Sequence, residues 1–169
     1  MRKNVLMFGG AFLIFLLDYI TKLLVIAKIP LSQSVSIFPP VLLFTHVQNY
    51  GAGFSILYGQ KIFLILISIA VLVTIGYYYT NIPEKGYVKY AVMFLLGGIL
   101  GNLLERIIKG YVVDFIHIGW WPKFNIADSA IVIGCVGLAY YFWKEEKEEK
   151  AEKNKENEKK NDSRDKGKR

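Results

Sequence analysis

The sequence predicts an all-α membrane protein with four transmembrane helices and a small β-containing extracytoplasmic loop region. Three observations carry this. Hydrophobic residues make up 53% of the chain, and its mean hydropathy is +0.32. Much of the charge is gathered in residues 144–169, which hold 11 of the 21 Lys and Arg and nine of the 14 Asp and Glu. The rest, residues 1–143, has 10 basic and five acidic side chains and falls into four apolar runs of spanning length. Such a body belongs in lipid. The net charge of +7 then reads through membrane topology, and no nucleic-acid partner is expected.

The first run, residues 5–27, follows Arg2 and Lys3 as a signal peptide would. It is too long for one, lacks a small-residue exit, and contains Asp18 and Lys22, so it reads as a retained helix. Residues 28–60 are turn-rich, with Pro30, Pro39-Pro40 and the glycines of Asn49-Tyr-Gly51-Ala-Gly53-Phe54. Within them, residues 41–47 are β-branched and bulky between turn signals, which predicts a short strand or two. Residues 62–79 form the second, uncharged run. Pro83 and Gly86 mark a tight connection to the third, residues 90–108, and the fourth is residues 126–143. Each is near the ~20 residues that cross a bilayer. Together they predict one domain, residues 1–143.

Orientation follows from Lys and Arg near the spans. With the amino terminus inside, Arg2, Lys3, Lys85, Lys89 and the start of the tail are cytoplasmic. Lys28, Lys61, Arg106, Lys109 and Lys123 then lie outside, with Asp114 and Asp128 on the same outer side. The tail alternates Lys and Glu without apolar residues. Pairs four apart extend the fourth helix by a turn or two, and the remainder is expected to be disordered.

The five acidic residues of the body are Asp18, Glu84, Glu105, Asp114 and Asp128. Asp114 sits among Val, Phe and Ile, and Asp128 opens the last apolar run with Asn125 placed to cap it. Taken singly, Asp128 reads as a partner of the helix dipole and Asp114 as a solvated loop residue. Together, fourteen positions apart and flanking one connection, they read as a pair meant to meet. Two adjoining carboxyls cannot both ionise cheaply, so one keeps a proton near neutral pH. That supplies a general base for water and a general acid for a leaving amine.

Asp18 and Lys22 are four apart on one helix face, and their plainer role is a structural ion pair. In the third run Gly98, Asn102 and Arg106 share one row, and Gly97, Gly101 and Glu105 the next. Small residues allow close helix packing, which points the polar ones toward a partner. His46 and His117 follow no metal-ligand spacing, and no metal is expected. Trp120 and Trp121 read as interfacial anchors, and Cys135 as a packing residue.

The blocks Asp18-Tyr-Ile-Thr-Lys22, Asn49-Tyr-Gly51-Ala-Gly53-Phe54, Gly97-Gly98-x-x-Gly101-Asn102-x-x-Glu105-Arg106, Val112-Val-Asp114-Phe-Ile116 and Phe124-Asn125-x-Ala127-Asp128-Ser129 resemble the signal peptidase II family, in its order. The resemblance implies a four-helix inner-membrane aspartic endopeptidase with both termini cytoplasmic. It would cut prolipoproteins just before a cysteine carrying diacylglycerol. Asp114 and Asp128 would be the catalytic dyad. Asn49, Gly51, Asn102, Arg106 and Asn125 would bind substrate or support the dyad, and Asp18 with Lys22 would be structural. Its partners would be prolipoproteins and membrane lipid. No cofactor is implied, and a monomer suffices for the chemistry. One departure is Glu105, where the family usually has Asp.

Two other classes stand against the peptidase. A small ion-coupled transporter would place carboxylates at several depths, near broken helices. A non-catalytic assembly factor would tolerate Asn at both dyad positions.

Overall fold

An apolar segment in lipid can satisfy its backbone only as a helix or a closed barrel, and the long apolar runs here are helices. The computed structural model describes the backbone of residues 2–51, 57–83 and 85–166, and the side chains of 5–51, 57–83 and 85–155. Gly53 and Phe54 of the second motif, and Glu84, lie outside the described residues. The elements run α1 (Arg2–Lys28), β1 (Ser34–Phe38), β2 (Leu42–Asn49), α2 (Lys61–Tyr77), α3 (Gly86–Ile108), β3 (Val112–Ile118) and α4 (Ile126–Lys166).

Three helical stretches, Val5–Lys28, Gly86–Ile108 and Ile126–Lys155, are long and apolar enough to cross a membrane. The apolar α2 has 17 residues and is shorter. Beyond it the chain tightens into a 3-10 turn at Tyr79–Asn81 before Pro83. Helix α3 is the centre of the bundle and packs against α1, α2 and α4. Small residues set the closest approach. A Cβ on Gly98 would stand 2.4 Å from the Ala127 carbonyl oxygen, and one on Gly134 2.8 Å from that of Ala91. Only glycine lets α3 and α4 approach this closely. Large apolar side chains such as Leu13, Phe12 and Leu66 point outward, as a lipid-facing surface requires.

Two expectations about α4 are corrected. The helix continues to Lys166 rather than ending a turn or two past Trp143. Glu146 accepts from Lys150 at 2.6 Å and Glu149 from Lys153 at 2.5 Å, so pairs four apart carry it on through residues of high helix propensity. Cys135 is exposed and does not pack. The inward face of α4 is taken by Gly134, and its neighbour turns out.

The strands form one antiparallel sheet in the order β1-β2-β3. Strand β2 matches the expected strand; β3 occupies a stretch read only as a connection. It begins after Gly110, whose φ of +83° turns the chain out of α3 at little steric cost. Val113 and Phe115 point from β3 toward Val25 of α1 and Ile29 just beyond its end and form a buried cluster. Asp114, between them, faces the other way.

Candidate active site

The route from β3 to α4 brings the two carboxylates together. After Trp120-Trp121 the chain doubles back, and Phe124 pairs with β3. Its N–H donates to the Ile116 carbonyl at 3.1 Å, and its own carbonyl accepts from Phe115 and Ile116 at 3.0 and 2.8 Å. Asn125 is therefore delivered beside Asp114, and α4 starts at the next residue.

Asn125 then makes a reciprocal cap. Its Oδ1 accepts the Asp128 N–H at 2.8 Å, while Asp128 Oδ2 accepts the Asn125 N–H at 3.1 Å. The Asn125 Nδ2 donates to Asp114 Oδ1 at 2.7 Å. One fully buried asparagine thus holds both carboxyls. From the sheet, Asn49 Nδ2 donates to Asp114 Oδ2 at 2.8 Å; Val47 pairs with Asp114 across the strands, which puts Asn49 on the same face. From α3, Asn102 Nδ2 donates to Asp128 Oδ1 at 2.8 Å.

Arg106 Nη2 donates to the Gly51 carbonyl at 3.0 Å, and the Gly51 N–H donates to Asn49 Oδ1 at 2.8 Å. The turn after β2 is thereby clasped to α3. Behind the carboxyls lies a buried charge network. Lys22 pairs with Asp18 at 2.7 Å and Glu105 at 3.2 Å, and donates to Asn102 Oδ1 at 3.0 Å. Asp18 Oδ1 accepts the Ala127 N–H at 2.8 Å, fixing the first turn of α4.

Sequence reading paired Lys22 with Asp18 alone, and its reach across to α3 was not visible in spacing. For Glu105 the spacing shows only that it ends the row of Gly97 and Gly101 and points toward a partner, without naming the partner. In the structure it takes Lys22, Lys109 at 2.7 Å and the Val113 N–H at 2.9 Å. Its longer side chain spans to β3, while on the neighbouring row Asn102 reaches Asp128 and Arg106 reaches Gly51. His46 Nδ1 bonds the Ile29 carbonyl at 2.8 Å and His117 Nδ1 meets Thr45 Oγ1 at 3.2 Å, both in or beside the sheet. Among the described residues no group of three His, Cys, Asp or Glu gathers as a metal site would require.

Asp114 is 3% exposed. Burial pushes its carboxyl up to about 7, the charge of Asp128 adds to that, and hydrogen bonds from Asn49 and Asn125 pull it partly back. Near neutral pH Asp114 therefore still carries its proton for a large part of the time, which lets it act as a general acid. Asp114, Asp128, Asn49 and Arg106 line a cavity of about 580 Å³ that runs past Trp121 and Phe124 and along Ile131, Val132 and Ile133 of α4. A more polar cavity of about 380 Å³, walled by Gln48, Tyr50, Tyr58 and Lys123, meets it at Asn49 and Asp114.

The family model described as signal peptidase (SPase) II matches residues 10–144. The chain belongs to the signal peptidase II family. Relatives within it include the lipoprotein signal peptidase of Halothermothrix orenii, 42% identical over 135 residues that cover 80% of this chain and 93% of the relative. That of Clostridium novyi is 33% identical over 138 residues, covering 78% and 93%. Two solved bacterial membrane enzymes superpose on the fold. One has a TM-score of 0.78 at 29% identity, covering 82% of this chain and 87% of its own. The other has 0.73 at 30%, covering 80% and 91%. This family member is thus a membrane peptidase, and its polar cavity end is the place to look for its chemistry.

Proposed function

We propose that this chain is an intramembrane aspartic endopeptidase that removes the signal peptide from diacylglyceryl-modified prolipoproteins, cutting just before the lipidated cysteine. The observation that carries the reading is the joining of Asp114 and Asp128 by Asn125 at one end of an apolar cavity. Asp128, in the first turn of α4 and hydrogen-bonded by Asn102, serves as the base. Asp114, buried and pushed up to about 7, keeps the proton. Asp128 takes a proton from water as the oxygen attacks the scissile carbonyl carbon, and Asp114 gives its proton to the carbonyl oxygen. The tetrahedral intermediate collapses, its hydroxyl proton returns to Asp114, and Asp128 passes its proton to the leaving nitrogen as the C–N bond breaks. The step uses the two carboxyls and one water.

In this reading α2 is the fourth span, since a mostly apolar helix of 17 residues is at the short end of what crosses the hydrocarbon. Both termini are cytoplasmic and the dyad lies toward the outer surface. The signal helix enters laterally along Ile131–Ile133, and the extended peptide lies against β2 under the Trp120-Trp121 turn. A monomer suffices. An ion-path reading is less favoured because Asp18, the deep carboxylate, is occupied by Lys22 and the Ala127 N–H.

The test is cleavage of a diacylglyceryl prolipoprotein by purified protein in detergent with EDTA, for wild type, Asp114→Asn and Asp128→Asn. Cleavage by wild type and its loss in both variants supports the reading. Activity surviving in either variant sinks the dyad, and an inactive, folded wild type sinks the substrate assignment.

A further inference from the structure

Beside Phe115 of β3 a second apolar groove of about 330 Å³ opens at the carboxyl-terminal end of α1. Its walls come from three parts of the fold: Leu24 and Val25 on α1, Phe44 and Phe115 of the sheet, and Ile126 at the start of α4. Phe44 and Phe115 meet edge to face with centroids 5.5 Å apart, so the floor is a fixed aromatic surface. The volume is roughly twice that of the ~150 Å³ apolar cavities that take up benzene, enough for a length of hydrocarbon chain.

Lys28 decides what fits. It is the last residue of α1 and of the first candidate membrane span. Its stem lines the groove, the residue is exposed, and among the described residues it has no ion-pair or hydrogen-bond partner. A lysine at the end of a spanning helix lays its methylenes along apolar surface and sends its ammonium to headgroup depth. An apolar slot capped by an unpaired cation at that depth matches one molecule type: a lipid with an acyl chain below and a negative phosphate above.

We propose that this groove is a binding site for one anionic phospholipid of the surrounding bilayer, with an acyl chain against Phe44 and Phe115 and the headgroup phosphate on Lys28. The site is separate from the dyad cavity, so it stands or falls independently of the peptidase reading.

Delipidated full-length protein would be titrated with phosphatidylglycerol and with phosphatidylcholine of the same acyl chains, and bound lipid counted by native mass spectrometry. Wild type is expected to prefer phosphatidylglycerol by about fivefold, the value of one lysine near an anionic headgroup. Lys28→Gln removes the preference, Lys28→Arg keeps it, and Lys61→Gln, which changes another exposed lysine, leaves it intact. Leu24→Trp, at a position 54% exposed and therefore harmless to the core, lowers binding of both lipids. Equal binding of the two lipids by wild type overturns the proposal, as does a preference in Lys28→Gln equal to that in Lys61→Gln. Unchanged binding in Leu24→Trp overturns the placement of the chain.

Discussion

The Lys22 ammonium on α1 donates to Asn102 Oδ1 at 3.0 Å, and the same amide donates its Nδ2–H to Asp128 at 2.8 Å. An ammonium has only donors, so the Asn102 oxygen must face Lys22 and its NH₂ must face the carboxylate. The buried lysine thus fixes the orientation of the amide that holds Asp128.

Removing that lysine should therefore cost stability. Asp18 would keep only the Ala127 N–H, and Glu105 would keep Lys109 and Val113. Lys22→Met is expected to destabilise by about 3–5 kcal/mol, the cost of stranding a buried charge. Asp18→Asn with Lys22→Met removes both members of the pair and should lose clearly less than Lys22→Met alone. Thermal unfolding in detergent reads both; equal losses would mean that the two charges are not coupled.

The helices and the meeting of Asp114 with Asp128 were legible because both are written locally. Uniformly apolar runs of ~20 residues fold as helices in lipid, since barrel strands are about half as long and alternate, and five acids in a body of 143 residues make each stand out. Asn125 was legible as a cap because Asp128 follows it by three. Strand β3 was not, since Val112–Ile118 is apolar around Asp114 and shows its period of two only once α1 is seen to cover Val113 and Phe115. Nor was the reach of Lys22 to Asn102 and Glu105, which depends on how α1 and α3 are rotated against each other. The length of α4 was underestimated because a stretch without apolar residues has no core to define its end. Its Glu–Lys pairs four apart were visible, but a solvated helix and a solvated coil share that pattern.

The titration of Asp114 gives a pH signature in both rate and stability. Its carboxyl sits at about 7 in the folded protein against 3.8 ordinarily, so the fold binds this proton more tightly than the unfolded chain does. The stability that follows is full below pH ~4 and is lost as pH rises through ~7. Asp114→Asn has no such loss, so its Tm relative to wild type should climb steadily between pH 4 and 7 and then level off. The slope is the diagnostic, because Asn also changes the hydrogen bonds to Asn49 and Asn125. Wild-type cleavage should fall above pH ~7 as the same proton leaves. A Tm difference flat across this range would place the carboxyl near its ordinary value.

Gly101 lies where α1, α3 and α4 converge behind the dyad. A Cβ there would stand 2.6 Å from Asp18 Oδ2 and 3.1 Å from the Ala127 Cβ. Asp18 cannot swing aside cheaply, since one oxygen holds the Ala127 N–H at 2.8 Å and the other Lys22 at 2.7 Å. Gly101→Ala must instead push the helices apart, and Ala127 is the residue before Asp128. The expected cost is about 1–3 kcal/mol in stability, as for overpacked cores. Cleavage should fall at least ~10-fold, because a displacement under an ångström already misplaces a catalytic group. Gly9→Ala is the control: nothing lies within 4 Å of its Cβ, and replacing a helical glycine should be neutral or stabilise by up to ~1 kcal/mol. Melting temperature and kcat would be measured for both. Retained stability with lost cleavage in Gly101→Ala would assign the effect to the placement of Asp128 alone. Retention of both would show that the contact between Asp18 and the first turn of α4 does not position the dyad.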